Sequence, residues 1–151
     1  MRGAACASDA ARNVMKESFG RNLDSLDDLF RFVERFAETQ ELGEGVLFVV
    51  RLAAEELFTN LVRHNTGGSN AIDVSLDREE GQLVIRLVDF DVDPVVVDPD
   101  HPPDTALPLA ERTPGGLGIH LVKSMVDSLT YEYDHRTFRV TAIKKLEDAH
   151  V

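Results

Sequence analysis

The chain has 151 residues, 43% of them hydrophobic and 28% charged, and its 16 Lys plus Arg against 27 Asp plus Glu leave a net charge of -11. That length suits one domain with a real core, while the negative surface disfavours nucleic acid and anionic membranes as direct partners. Cys6 is the only cysteine, which excludes an intramolecular disulfide and a cysteine-based zinc site and fits a reducing cytoplasm.

The opening Met1–Ala7 lacks the apolar run of ~7–15 residues of a signal peptide, and no stretch approaches the ~20 apolar residues of a membrane span. Residues 1–11 and 147–151 are expected to be tails flanking one domain, 12–146. Arg12–Phe19 is a candidate first strand, weakly anchored by Val14 and Phe19. Leu26, Leu29, Phe30, Val33, Phe36 and Ala37 then recur at helical spacing, with Ser25 as the expected N-cap and Asp27 and Asp28 in the first turn. Gly43 and Gly45 end that helix and open the next, Gly45–His64, whose stripe is Leu47, Val50, Ala54, Leu57, Phe58 and Leu61. Gly67 and Gly68 stop it.

A hairpin follows. Ile72, Val74 and Leu76 alternate with polar residues, Arg78–Gly81 turns the chain, and Leu83, Ile85 and Leu87 alternate on the return. All six prolines then fall between Pro94 and Pro114, a loop long enough to suggest a functional segment. Gly115–Gly118 leads into a periodic stretch, Ile119, Leu121, Val122, Met125, Val126 and Leu129, read as a third helix. Thr130–Tyr133 and Phe138–Ile143 read as two closing strands joined by Asp134–Thr137. This order implies an α+β fold, a two-layer α/β sandwich with a mostly antiparallel sheet and three main helices on one face.

Three segments carry chemistry. Glu56, Asn60 and His64 stand four apart; each step of four drifts about 40° around a helix, so all three share a face. A carboxylate and an amide oxygen one turn apart suit a hard cation such as Mg²⁺, and the carboxylate could take a proton from an attacking hydroxyl. A solvated helix face with a local hydrogen bond fits the same spacing. Asp89 ends the apolar strand Val84–Val88, where it can accept from an exocyclic amine or cap the following turn. Gly115, Gly116 and Gly118 open a helix, where the backbone can approach an anion closely. A flexible helix start would look alike.

In this order the three resemble the N-, G1- and G2-boxes of the GHKL ATPases, and Glu55-Glu-Leu-Phe-Thr-Asn-Leu-Val-Arg-His64 with Gly116-Leu-Gly-Ile-His-Leu-Val122 is similar to the small anti-sigma kinase branch. The resemblance covers about residues 22–146. It implies a Bergerat-type sandwich, ATP and Mg²⁺ as cofactors, and serine/threonine kinase activity on an anti-sigma antagonist protein. A sigma factor is a second partner implied, and a homodimer is compatible with it. It further implies that Asn60 holds Mg²⁺, Glu56 is the general base and Asp89 meets adenine. Gly115, Gly116, Leu117 and Gly118, with His64, complete the nucleotide site. Residues 95–114 would be the lid, with Arg112 its only Lys or Arg.

Two positions depart from that pattern. The family's Asp-x-Gly is here Asp89-Phe-Asp91, and Asp134-His-Arg-Thr137 replaces the usual glycine-bearing turn. The lid is acidic as well. A partner-sequestering module of the same fold, with weak or no ATP binding, therefore stands beside the kinase reading. Restoring the glycine with Asp91→Gly is expected to tighten ATP binding, as it should if that carboxylate lies near the phosphates. It should weaken binding if the carboxylate holds the metal or adenine, and change nothing if it faces solvent.

Overall fold

Alternation along the strands builds the sheet, and helical periodicity covers it. The computed structural model describes residues 14–65, 71–93 and 116–146, the side chains of 116–118 excepted. The two tails, the stretch 66–70 and most of the proline-rich loop lie outside the described residues. The elements are β1 (Val14–Gly20), a 3₁₀ turn (Leu23–Ser25), α1 (Leu26–Thr39), α2 (Glu44–His64), β2 (Ala71–Glu79), β3 (Gln82–Asp89), α3 (Gly116–Met125), β4 (Ser128–Asp134) and β5 (Thr137–Lys145). The five strands form one sheet in the order β1-β2-β3-β5-β4, every pair antiparallel. The expected α+β sandwich is the observed fold.

Register explains the core. Ile72, Val74 and Leu76 oppose Asp89, Leu87 and Ile85, and Leu87 and Ile85 oppose Val140 and Ala142. All these apolar residues are fully buried, because they project to the side where the helices lie. Arg86 and Thr141 alternate to the other side, where Arg86 Nε donates to Thr141 Oγ1 at 3.2 Å. On the helix side α1 contributes Leu29, Phe32, Val33 and Phe36, α2 contributes Val50, Ala54, Leu57, Phe58 and Leu61, and α3 contributes Ile119 and Val122. Phe19 of β1 sits edge-on to both Phe32 and Phe58, centroids 5.4 and 6.5 Å apart. Helix α2 is the middle helix, packed against α1, α3 and β3.

Several local expectations are corrected. Ser25 is not a side-chain N-cap: it lies in helical conformation at the end of the 3₁₀ turn, and its Oγ donates back to Gly20 O at 2.8 Å. Phe32, absent from the expected stripe, is buried, whereas Phe30 lies half-buried beneath the Arg51 guanidinium, 4.6 Å from the ring centroid. Leu129 belongs to β4 rather than to the third helix, and Leu121 is exposed. The helix stops because Asp127 turns into the sheet, its N–H donating to Ile143 O at 2.7 Å and its Oδ2 accepting from Lys145 N–H at 2.6 Å. No helix of the described residues is long and apolar enough to cross a membrane.

Candidate functional site

Asp89 sits where no carboxylate is at ease. It ends β3 on the helix side of the sheet, level with Ile72 on β2 and Phe138 on β5, and it is 0% exposed. An isolated carboxylate there would lose several kcal/mol of hydration. Two donors compensate at one oxygen. Arg21 Nη2 donates to Asp89 Oδ2 at 2.9 Å, and Asn65 Nδ2 donates to the same oxygen at 3.0 Å. Oδ1 is buried with no hydrogen-bond partner among the described residues. Burial raises the Asp89 pKa above its ordinary value, while the Asn65 hydrogen bond and then the Arg21 charge pull it down.

Arg21 follows β1 directly and also reaches the end of α2. Its Nη1 points at Leu61 O at 3.4 Å and its Nη2 at Asn65 O at 3.5 Å. A cation beside the last carbonyls of a helix is favoured by the helix dipole. One guanidinium thus ties β1, the C-terminus of α2 and the end of β3 together. Neither Arg21 nor Asn65 is evident from local spacing. What could have exposed Arg21 is the requirement that a carboxylate ending a core strand find a counter-charge.

On α2, Asn60 is buried, 4% exposed, and its Nδ2 donates to Glu56 O at 2.8 Å. The amide nitrogen is committed there, so Oδ1 is the atom of this side chain chemically suited to a hard cation. Glu56, one turn earlier, is half-buried. Desolvation, then the neighbouring Glu55 charge, raise its pKa, against a smaller opposite pull from Arg63. His64 is half-buried in the last turn of the same helix. Helix α3 begins at Gly116, so Gly116, Leu117 and Gly118 form its first turn, and α3 packs on α2. Arg112 and Gly115 lie outside the described residues. The structure therefore joins Asp89 to the end of α2 just past Asn60, and lays the glycine-bearing helix alongside α2.

The two departures at glycine positions meet in space. Asp91 has φ +58°, and His135 and Arg136 have φ +50° and +62°, a region natural for glycine and tolerated by Asp. Asp91 keeps that backbone with its side chain exposed. Arg136 Nη2 donates to Asp91 O at 3.0 Å and to Asp93 Oδ1 at 3.1 Å, Val92 N–H donates to Arg136 O at 2.8 Å, and Tyr133 OH donates to Val92 O at 2.7 Å. The closing hairpin thereby holds the segment that leaves Asp89.

No match to the chain was found among curated proteins. Among solved structures, a chain of the SiaB–SiaC complex from Pseudomonas aeruginosa has a similar fold, with a TM-score of 0.60 and 17% identity, covering 93% of this chain and 95% of that one. The family model of the histidine kinase-like ATPase domain matches residues 19–144, from the strand that carries Phe19 to the one that closes the sheet. By that match the chain belongs to the histidine kinase-like ATPase domain family.

Proposed function

We propose that the chain is a regulator of the anti-sigma type that binds Mg-ATP and phosphorylates a serine or threonine of an antagonist protein. The observation that carries this reading is Asp89 Oδ1, a buried acceptor without a partner among the described residues, set on the helix side of the sheet. Such an atom fits an exocyclic amine like that of adenine. Family membership supports nucleotide binding. In this reading Asp89 receives the base, Asn60 Oδ1 contributes one oxygen to Mg²⁺, and the first turn of α3 offers backbone N–H groups to phosphate. The bound metal neutralises phosphate charge. Glu56, whose raised pKa makes it a stronger base, accepts the proton of the substrate hydroxyl. His64, Arg112, Gly115 and Leu117 complete the proposed nucleotide set, within a domain bounded by 12 and 146.

Calorimetric titration with Mg-ATP tests it. Saturable binding by the wild type, weakened in Asp89→Asn, is expected. Glu56→Gln should keep that binding and lose phosphoryl transfer. No binding by the wild type overturns the reading.

A second reading has its own observation. Asp89 is already held by Arg21 and Asn65, so it has a role in the fold without any ligand. A partner-sequestering module, binding a sigma factor or another regulator, would keep this arrangement. The occurrence of a similar fold in a two-protein complex supports a protein partner under either reading. Wild-type levels of partner binding in Glu56→Gln without nucleotide would favour the second.

A further inference from the structure

The ion pair at Asp89 does more than neutralise it. Both donors, Arg21 Nη2 and Asn65 Nδ2, converge on Oδ2. They arrive from different elements: Arg21 from the residue after β1, Asn65 from the residue that ends α2. Two bonds from two directions fix the carboxylate plane and so the position of Oδ1. They also favour the ionised form, in which a carboxylate only accepts hydrogen bonds. A protonated carboxyl could turn and donate from either oxygen, and would then suit a carbonyl as well as an amine.

We propose that Arg21 and Asn65 are positioning residues that make Asp89 a selective acceptor, favouring a purine with an amino group at the edge it meets over one with a carbonyl there. This rests on the nucleotide-site reading above. Its chemistry is a discrimination: an amine gains a bond to Oδ1, whereas a carbonyl would place two buried acceptors against each other with no proton between them. A polar mismatch in a buried site discriminates more strongly than a missing methylene does. Arg21 supplies the geometry without touching the base.

Mg-ATP and Mg-ITP differ at that exocyclic group and are the probes. Their affinities are measured by calorimetry for the wild type, Arg21→Lys, Arg21→Met and Asn65→Ala. The wild type is expected to favour ATP at least tenfold. Arg21→Met should lose most of that preference, because ATP affinity falls more than ITP affinity, and Arg21→Lys should restore part of it. Asn65→Ala should reduce the preference in the same direction, and it carries the test alone if Arg21→Met does not fold. An unchanged ratio in both Arg21→Met and Asn65→Ala, even with both affinities lowered equally, overturns the inference and leaves the nucleotide site standing. A wild type that binds neither nucleotide overturns the nucleotide-site reading itself.

Discussion

Arg21 and Asp89, 68 positions apart in the chain, meet through a 2.9 Å contact between Nη2 and Oδ2. Asp89 has no exposed surface, and the Arg21 side chain is 12% exposed. Removing one partner of such a pair leaves the other charged and buried, a loss of roughly 3–5 kcal/mol for a fully buried pair. Because Arg21 retains some contact with water, Arg21→Met should fall at the lower end, about 3 kcal/mol. Urea denaturation of Arg21→Met, Asp89→Asn and the double variant checks it. The double variant should lose less than the sum of the two single losses. Strict additivity would show that the pair is not coupled.

Glu56 gives a pH signature. Its folded-state pKa lies above its ordinary value of 4.5, by burial first and the Glu55 charge second. The folded chain therefore holds this proton in a window above that value, where the unfolded chain has released it. Stability falls as pH rises through the window. Glu56→Gln cannot ionise, so it should be more stable than the wild type above the window, and the difference should vanish below it. Thermal melts of both proteins between acidic and neutral pH read this directly. A Glu56→Gln variant less stable at neutral pH would reverse the sign.

Asp91 holds a left-handed backbone, φ +58°, with an exposed side chain. That exposure favours the solvent-facing one of the three outcomes set out from the sequence, against the expected tightening. Asp91→Gly should raise stability by about 0.5–1 kcal/mol by relieving that conformation. Mg-ATP affinity should stay equal to wild type at both low and high salt. The Arg136 contact to Asp91 O survives the change, since it uses the backbone. A marked tightening at low salt would place the carboxylate near the phosphates instead.

Phe58 is fully buried and lies edge-on to Phe19, joining α2 to β1. Phe58→Ala should cost about 3–5 kcal/mol through lost contacts and the cavity left behind. Phe30→Ala, at a half-buried site capped by Arg51, should cost clearly less. Equal losses in denaturant titrations would contradict the assigned layering.

The sheet was legible because Ile72–Leu76 and Leu83–Leu87 alternate with a period that only a one-sided antiparallel sheet satisfies. The pairing of β5 beside β3 was not legible, since register between distant strands has no local signature. Phe32 escaped because Phe30 competes with it in the same turn, although the buried Leu29, Phe32, Val33, Phe36 and Ala37 themselves keep the three-and-four spacing. Leu129 was misplaced because its spacing continues the helix in phase, and only the tertiary bond from Asp127 to Ile143 ends the helix earlier. Glu56, Asn60 and Asp89 stood out by residue type and position. Arg21 and Asn65 did not, since a counter-charge is chosen by three-dimensional proximity. Asp91 read as a broken glycine position, yet its backbone retains the glycine-like angle.

The place of β1 at the sheet's edge bears on how the chain closes. The β2–β3 and β4–β5 hairpins join near neighbours in sequence, whereas β1 pairs Val14 with Asp77, a contact that must close a long loop and so forms slowly. A partly folded chain with both hairpins in place and β1 still free would carry Asp89 without Arg21. Sealing Asp89 from water at that stage would strand a lone charge, so its burial and the arrival of the edge strand are expected to be a single event. Amide exchange at the end of β3 should then follow that of β1 more closely than that of the turn joining β2 to β3.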